Sequence, residues 1–372
     1  MGVLLGGLCS LFLLELALQG IEASPLWRVL PVIEPILGQP DRDIGYSFTP
    51  GTTGTWVREH RARIRINSLG LRDGEVAVSK QPGVLRVALT GDSMIEALQV
   101  EQEQTFESLA ERKLTAAGRP AEIVNLAMSG NGPLRQLVRL ERFGYPLAPD
   151  LVVSYASVFD FFSGELLRDD QNPGYVATSS GEFERGYGFR NRWQVRYVDT
   201  IWGRSFVGLL QHSAVARMLY LRSRDPWQRI LGLPAAASPA RGVEHDPCAA
   251  SVLRSLEGLW LAQQPDELHW RATSRFLDDL AASTAAAQVP VLYLMADIPM
   301  PDPTCVESVE SRGKIVKAMA DAFASRGLGF VDWNQDLAKV MRKEQGGGGE
   351  GISDAAGIRR QEFGGASEFP GP

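Results

Sequence analysis

The sequence predicts an α/β fold, a three-layer α/β/α sandwich around one parallel sheet, with five short apolar runs at 84–89, 123–126, 151–155, 291–295 and 329–332 as its strands. Segments with apolar residues at helical spacing separate the runs, and strand–helix–strand alternation builds parallel sheets covered on both faces. The chain has 372 residues and 44% hydrophobic content. That suffices for one large α/β domain with additions, or for two smaller ones.

Residues 1–24 form the first segment. An apolar run from Val3 to Leu18 is interrupted by Glu15. It is short for a membrane span, which needs about 20 residues, and fits the apolar stretch of a signal peptide or an uncleaved anchor. No Lys or Arg stands in its N-terminal region, Ile21-Glu22-Ala23 is a weak cleavage site, and Leu8 before Cys9 argues against a lipidation site. Pro25 stops the run. With no partner pattern following, a helix over residues 3–18 is expected to project from the globular part. The domain would then lie outside the cytoplasm, in the periplasm or at the cell surface, and meet the membrane through this segment. The opposing reading is a buried core helix.

Residues 25–80 read as a lead-in of hairpins. Gly45-Tyr46-Ser47-Phe48 and Arg63-Ile64-Arg65-Ile66 alternate apolar and polar, with turn signals at Pro50-Gly51 and Gly54. The main domain is expected over residues 81–343. Val84 to Leu89 reads as a strand buried on both faces. Phe106, Leu109, Ala110 and Leu114 mark a helix that Gly118 ends, and Leu134, Leu137 and Val138 mark the next. From about 164 to 250 the alternation pauses in a stretch rich in aromatics and arginine, read as an insertion over the sheet edge with one helix between Ser205 and Arg222. Helices are then expected over roughly 268–286 and 306–325. Residues 344–372, opening with Gly346-Gly347-Gly348-Gly349, read as a Gly-rich disordered tail.

Composition narrows the functions. The net charge is −6 with no basic block, so nucleic-acid binding has no electrostatic support. The three cysteines, Cys9, Cys248 and Cys305, form no CxxC or Cys/His cluster, which leaves no zinc site. Cys248 and Cys305 are either a disulfide pair suited to an oxidising compartment or two unrelated thiols. No Gly-x-Gly-x-x-Gly follows the first strand, against a dinucleotide module, and no cofactor is expected.

Ligands of open parallel sheets bind at the carboxyl ends of strands. Gly91-Asp92-Ser93-Met94 sits at such an end. A serine in that turn exposes its hydroxyl and offers its own N–H to an oxyanion. A Gly-Asp-Ser turn alone is commonplace; its position after an apolar strand gives it weight. Three more stretches strengthen the pattern: Ile66-Asn67-Ser68-Leu69-Gly70-Leu71-Arg72, Val124-Asn125-Leu126-Ala127-Met128-Ser129-Gly130, and Pro149-Asp150-Leu151-Val152-Val153. With these residues the chain resembles the SGNH/GDSL hydrolases, in particular exported or membrane-associated bacterial members.

The resemblance implies a flavodoxin-like five-stranded sheet, with Ser93 as nucleophile and the Gly130 amide in the oxyanion hole. Asn131, beside Gly130, is a further candidate oxyanion donor. The implied substrate is an acylated carbohydrate, such as an O-acyl group of a cell-surface polysaccharide, or another small ester. Two departures stand out. In Ser157-Val158-Phe159-Asp160, Phe159 holds the place of an oxyanion-binding asparagine and has no donor to give. In the C-terminal block Glu350-Gly351-Ile352, Glu350 and Ile352 stand where the resemblance places an Asp and a His, and Ile cannot act as a base. Asp266-Glu267-Leu268-His269 has the Asp-x-x-His spacing but precedes the fourth strand. His60, His212 and His245 have no catalytic context. Tyr175, Phe183, Tyr187, Phe189, Trp193, Tyr197 and Trp202 either stack on sugars or form the insertion's own small core. Two functions follow: a serine esterase with an incomplete catalytic set, or an impaired glycan-binding accessory protein at the membrane.

Overall fold

A computed structural model of the protein describes residues 2–28, 37–56, 60–162, 165–167, 169–220 and 246–335. The Gly-rich tail with Glu350 and Ile352, and His245, lie outside the described residues. In the lead-in, β1 (Gly38–Asp41) pairs antiparallel with β2 (Gly45–Phe48), and β3 (Thr53–Trp56) with β4 (Ala62–Arg65). The central sheet contains β5 (Leu85–Thr90), β6 (Ala121–Asn125) and β7 (Leu151–Ser157). A hairpin of β8 (Gly174–Ala177) and β9 (Phe183–Gly186) follows, and β10 (Val291–Ala296) and β11 (Gly329–Asp332) complete the sheet. Its order is β11-β10-β7-β5-β6, and every pairing is parallel. All five expected runs therefore fall in one sheet.

The chain leaves β5 first toward β6 on one side and then crosses to β7 on the other. The switch point thus lies beside β5, where the crevice of an open α/β sheet forms. Strand residues alternate between two cores because side chains have a period of two. Val87 and Leu89 face one core with Ile95, Ile123 and Ala127. Ala88, Val124 and Val152 face the other, larger core.

The helices, in chain order, are α1 (Gly2–Ala23), α2 (Ser93–Glu96), α3 (Phe106–Ala116), α4 (Pro133–Arg139), α5 (Trp193–Tyr197), α6 (Ile201–His212), α7 (Ala250–Leu256), α8 (Leu268–Ala287) and α9 (Val306–Ala324). Cys248 and Cys305 form a disulfide, which ties the residues just before α7 and α9; Cys9 is an exposed free thiol. The β8–β9 hairpin is pinned by Arg185, which bonds both Asp279 on α8 and Glu141 after α4, and by the Tyr175 hydroxyl donating to Asp279 at 2.9 Å. Tyr175, Phe183 and Phe189 are buried, so these rings form the insertion's core. Trp193, Tyr197 and Trp202 are exposed.

Two expectations need correction. Between Ser205 and Tyr220, where one helix was expected, there are two helical segments, because α6 ends at His212 and residues 214–220 are helical again. Ser213 breaks the helix and accepts from the Ala216 N–H, as an N-cap serine does. The leader helix also has a partner. Residues 5–14 are exposed, but Leu18 is buried against Ala214. The Glu15 carboxylate accepts from Ser213 Oγ and from the Ala214 and Val215 amides at 2.8–2.9 Å. The acidic residue that interrupts the apolar run thus caps a helix end.

Candidate active site

The site begins with a close approach. A Cβ on Gly91 would lie 2.6 Å from Ile95 Cγ1, so only glycine lets α2 fold directly over the end of β5. Asp92 caps α2, its side chain accepting from the Met94 amide at 2.8 Å. The helix is one turn long and ends at Ala97 in the left-handed region. Ile95 and Glu96 are buried and anchor it. Ser93, the first helical residue, is half-buried, and its hydroxyl has no hydrogen-bond partner among the described residues.

The loop after β6 lies alongside. Asn125 ties the strand end to α2, donating to the Ile95 carbonyl at 3.0 Å while accepting from the Ala127 amide at 2.9 Å. The Gly91 carbonyl receives the Met128 N–H at 3.2 Å and the Asn131 Nδ2 at 3.3 Å. Gly130 sits at φ 69° on the exposed crest of this turn, and its N–H has no partner among the described residues. The turns of Ser93 and Gly130 therefore stand together at the carboxyl edge of the sheet. Asn131 is buried, with its amide on Gly91 and its Oδ1 unpartnered.

Beneath the turns, the Thr90 and Ser154 hydroxyls lie 2.9 Å apart, each 3.1 Å from Gln136 Oε1. Gln136 Nε2 donates onward to the Asn131 carbonyl at 3.1 Å. This buried network links β5, β7 and α4 to the Gly130 turn.

A second polar layer surrounds Glu96. Ser129, next to Gly130, donates both its hydroxyl and its amide to the Glu96 carboxylate. Burial pushes the Glu96 carboxyl up to about 7, against the pull of the Ser129 bonds and of Arg139 and Arg72. Arg139 donates to the Leu126 carbonyl at 2.8 Å and Arg135 to the Tyr46 carbonyl at 2.6 Å. Burial lowers Arg139 to about 9, helped by the neighbouring Arg135 charge.

The lead-in braces the same loops. Asn67 holds its turn by accepting from the Leu69 and Leu71 amides. Buried Arg72 donates to the Gln102 side chain and to the Val100 carbonyl. Asp73, raised to about 8 by burial and then by the charge of Glu107, accepts from the Asn125 amide at 2.8 Å. Phe48, Trp56, Ile64 and Ile66 pack with Leu98 and Met128 from the two site loops.

The third loop follows β7. Ser157 caps the turn Val158–Phe161, and Asp160 accepts from its amide at 3.2 Å. Phe159 is partly exposed with its ring against Phe162 at 5.2 Å, so an apolar side chain without a donor stands in this turn. Asp297 follows β10 at φ 58°. Burial raises the Asp92 carboxyl, and the Asp297 charge adds to this. Tyr155 is driven up by burial and by the charges of Asp297, Asp92 and Asp160, so three carboxylates gather at this edge. Asp297 was legible by the end-of-strand rule that selects Ser93. Glu96 carried no signal, since a polar residue in a helix reads as solvent-facing.

The histidines lie elsewhere. His269 bonds Glu267 at the start of α8, while His60 and His212 are exposed. Among the described residues no histidine bonds Ser93.

No family model matches the chain, and no curated protein does. Among solved structures it is similar to TesA, at 16% identity over 74% of this chain and 88% of that one, with a TM-score of 0.29. It is similar to the acetyl xylan esterase AlAXEase at 12% identity, covering 72% and 87%, with a TM-score of 0.33. It is also similar to AlinE4, described as an SGNH-hydrolase family esterase, at 10% identity, covering 78% and 89%, with a TM-score of 0.31. Likenesses this low add nothing to the site, and the architecture stands on strand order and pairing. The chain has an α/β fold, a parallel five-stranded sheet with Ser93 at its switch point.

Proposed function

We propose that the protein is an SGNH-type serine ester hydrolase with an incomplete catalytic set, one that binds O-acyl esters and turns them over at little above the uncatalysed rate. The observation that carries this is the pairing of two turns at the switch point: Ser93 with a free hydroxyl, and Gly130 with a free amide beside it. Ser93 Oγ would attack the ester carbonyl, and the Ser93 and Gly130 amides would hold the oxyanion. An oxyanion donor is typically worth about 2.7–4 kcal/mol. Asn131 would serve as a third donor through the second N–H of its amide, the first being held by the Gly91 carbonyl.

A serine hydroxyl needs a base within about 3 Å to take its proton. Ile352 stands where the resemblance places that base, and Phe159 removes a further donor. These substitutions also favour the second reading, a glycan-binding accessory protein. The substrate class we favour is an O-acylated polysaccharide outside the cytoplasm, because the resemblance and the apolar α1 both point to the cell envelope.

The test is p-nitrophenyl acetate hydrolysis by the full chain, by Ser93→Ala, and by the double variant Glu350→Asp with Ile352→His. Wild-type turnover is expected little above buffer and barely changed by Ser93→Ala. The double variant should gain Ser93-dependent turnover of ~10²-fold or more, the usual worth of a positioned base. Robust wild-type turnover lost in Ser93→Ala would reveal another base. No gain in the double variant would favour the accessory reading.

A further inference from the structure

We propose that the face formed by α5, α6 and residues 214–220 is a membrane-docking collar that lies in the headgroup layer of a lipid bilayer. This rests on reading α1 as a membrane anchor. Leu5–Ala23 is long and apolar enough to cross a bilayer, and Leu5, Leu8, Phe12 and Leu13 are bare.

The argument starts from where α1 is gripped. Glu15 caps residues 213–215, Gln19 donates to the His212 carbonyl, Leu18 packs on Ala214, and Glu22 pairs with Arg217 at 2.7 Å. The bend of the α6 hairpin is therefore fastened at Glu15, well short of the end of α1 at Ala23. The free part, residues 2–14, reaches only about 20 Å at 1.5 Å per residue. The hydrocarbon core is about 30 Å thick. To cross it α1 must be immersed nearly to Ala23, and the hairpin bound along residues 15–22 is carried down with it.

The hairpin's surface matches that position. Phe206 meets Tyr220 at 5.8 Å, so α6 and residues 214–220 run antiparallel from the bend at Ser213. Phe206 and Leu209 are exposed close to the bend; Ile201 and Trp202 stand farther up α6, 76% and 82% exposed. Trp193 and Tyr197 of α5 extend the patch. The insertion's own core is filled by Tyr175, Phe183 and Phe189, and these exposed rings take no part in it. A monomer rarely exposes so many large apolar side chains together. Trp and Tyr concentrate at headgroup level, where an apolar body and a polar edge are both satisfied. Exposed Arg196 and Arg204 alternate with the rings and suit lipid phosphates.

The experiment uses the full chain in phosphatidylcholine–phosphatidylglycerol vesicles, in a Cys9→Ala background that keeps the Cys248–Cys305 disulfide. Single cysteines from Leu13→Cys, Trp202→Cys, Phe206→Cys and Lys317→Cys carry an environment-sensitive fluorophore; Lys317 is exposed on α9, which is no part of the patch. Lipids with a nitroxide near the headgroup should remove most of the emission at 202 and 206, and none at 317. Quenching at 13 by nitroxides along the acyl chain reports the anchor. If 13 is quenched while 202 and 206 behave like 317, the collar is wrong and the anchor stands. If 13 is also unquenched, the anchor reading falls and the collar with it. If 202 and 206 are shielded from aqueous iodide yet untouched by lipid nitroxides, a protein surface covers the patch and the proposal is overturned.

Discussion

Replacing Glu96 by glutamine should flatten part of the pH dependence of stability. The folded protein holds the Glu96 proton up to about pH 7, against an ordinary value of 4.5. The folded state thus binds this proton more tightly than the unfolded chain. The corresponding stability is fully present below pH 4.5 and is lost as pH rises through about 7. At about 1.4 kcal/mol per pH unit, that difference amounts to about 3 kcal/mol. Glutamine keeps an oxygen to accept from Ser129 and cannot ionise. Near pH 5 the Glu96→Gln variant should match wild type within about 1 kcal/mol, the scale of one net hydrogen bond. At pH 8 it should be the more stable protein. The gain has a ceiling of about 3 kcal/mol, the full shift, in which the attraction of Arg139 and Arg72 for the carboxylate is already included. Asp73, raised to about 8 by burial and by Glu107, remains in both proteins and gives both a shared fall with pH. The assay is urea unfolding of the full chain in mild detergent at pH 5, 6.5 and 8. Parallel pH profiles for the two proteins, differing only by a constant, would refute the reasoning.

Gly91→Ala should cost about 1–3 kcal/mol in the same assay, since its Cβ would strike Ile95 and push α2 off β5; an unchanged midpoint would count against a tight fit there. Gln136→Met takes the Oε1 acceptor from Thr90 and Ser154 and the Nε2 donor from the Asn131 carbonyl, for an expected loss of about 1–3 kcal/mol by thermal unfolding. Opening the Cys248–Cys305 bond by a double serine substitution should cost about 4 kcal/mol on the loop-entropy scale for a separation of 57 residues, measured as a lowered urea midpoint.

The sheet was legible because its strands are short, apolar and spaced by helical periods, and parallel pairing follows from that alternation. The places of Ser93 and Gly130 at the carboxyl edge of the sheet were legible because each follows a strand that the pattern already places. The buried charges beneath them were not. Arg72, Asp73, Glu96, Arg135 and Arg139 look like ordinary surface residues in sequence, and only tertiary contacts show where they point. Ser213 was missed as a helix break because the apolar spacing runs on through it. Glu15 looked like a flaw in an apolar run because its partners lie almost two hundred residues away, at Ser213, Ala214 and Val215.

The lead-in hairpins also bear on how separable the parts of this chain are. The seam near residue 80 is plain in the sequence, and a designer would be tempted to cut there and transplant the sheet alone. Yet Arg72 fastens the loop after α2, Asp73 fastens the end of β6, and the hairpins' apolar residues seat Leu98 and Met128. A transplant starting at residue 81 would bring the strands and leave behind the scaffolding of both turns. The portable unit begins at the first hairpin, and the visible seam is a change of rhythm within one part.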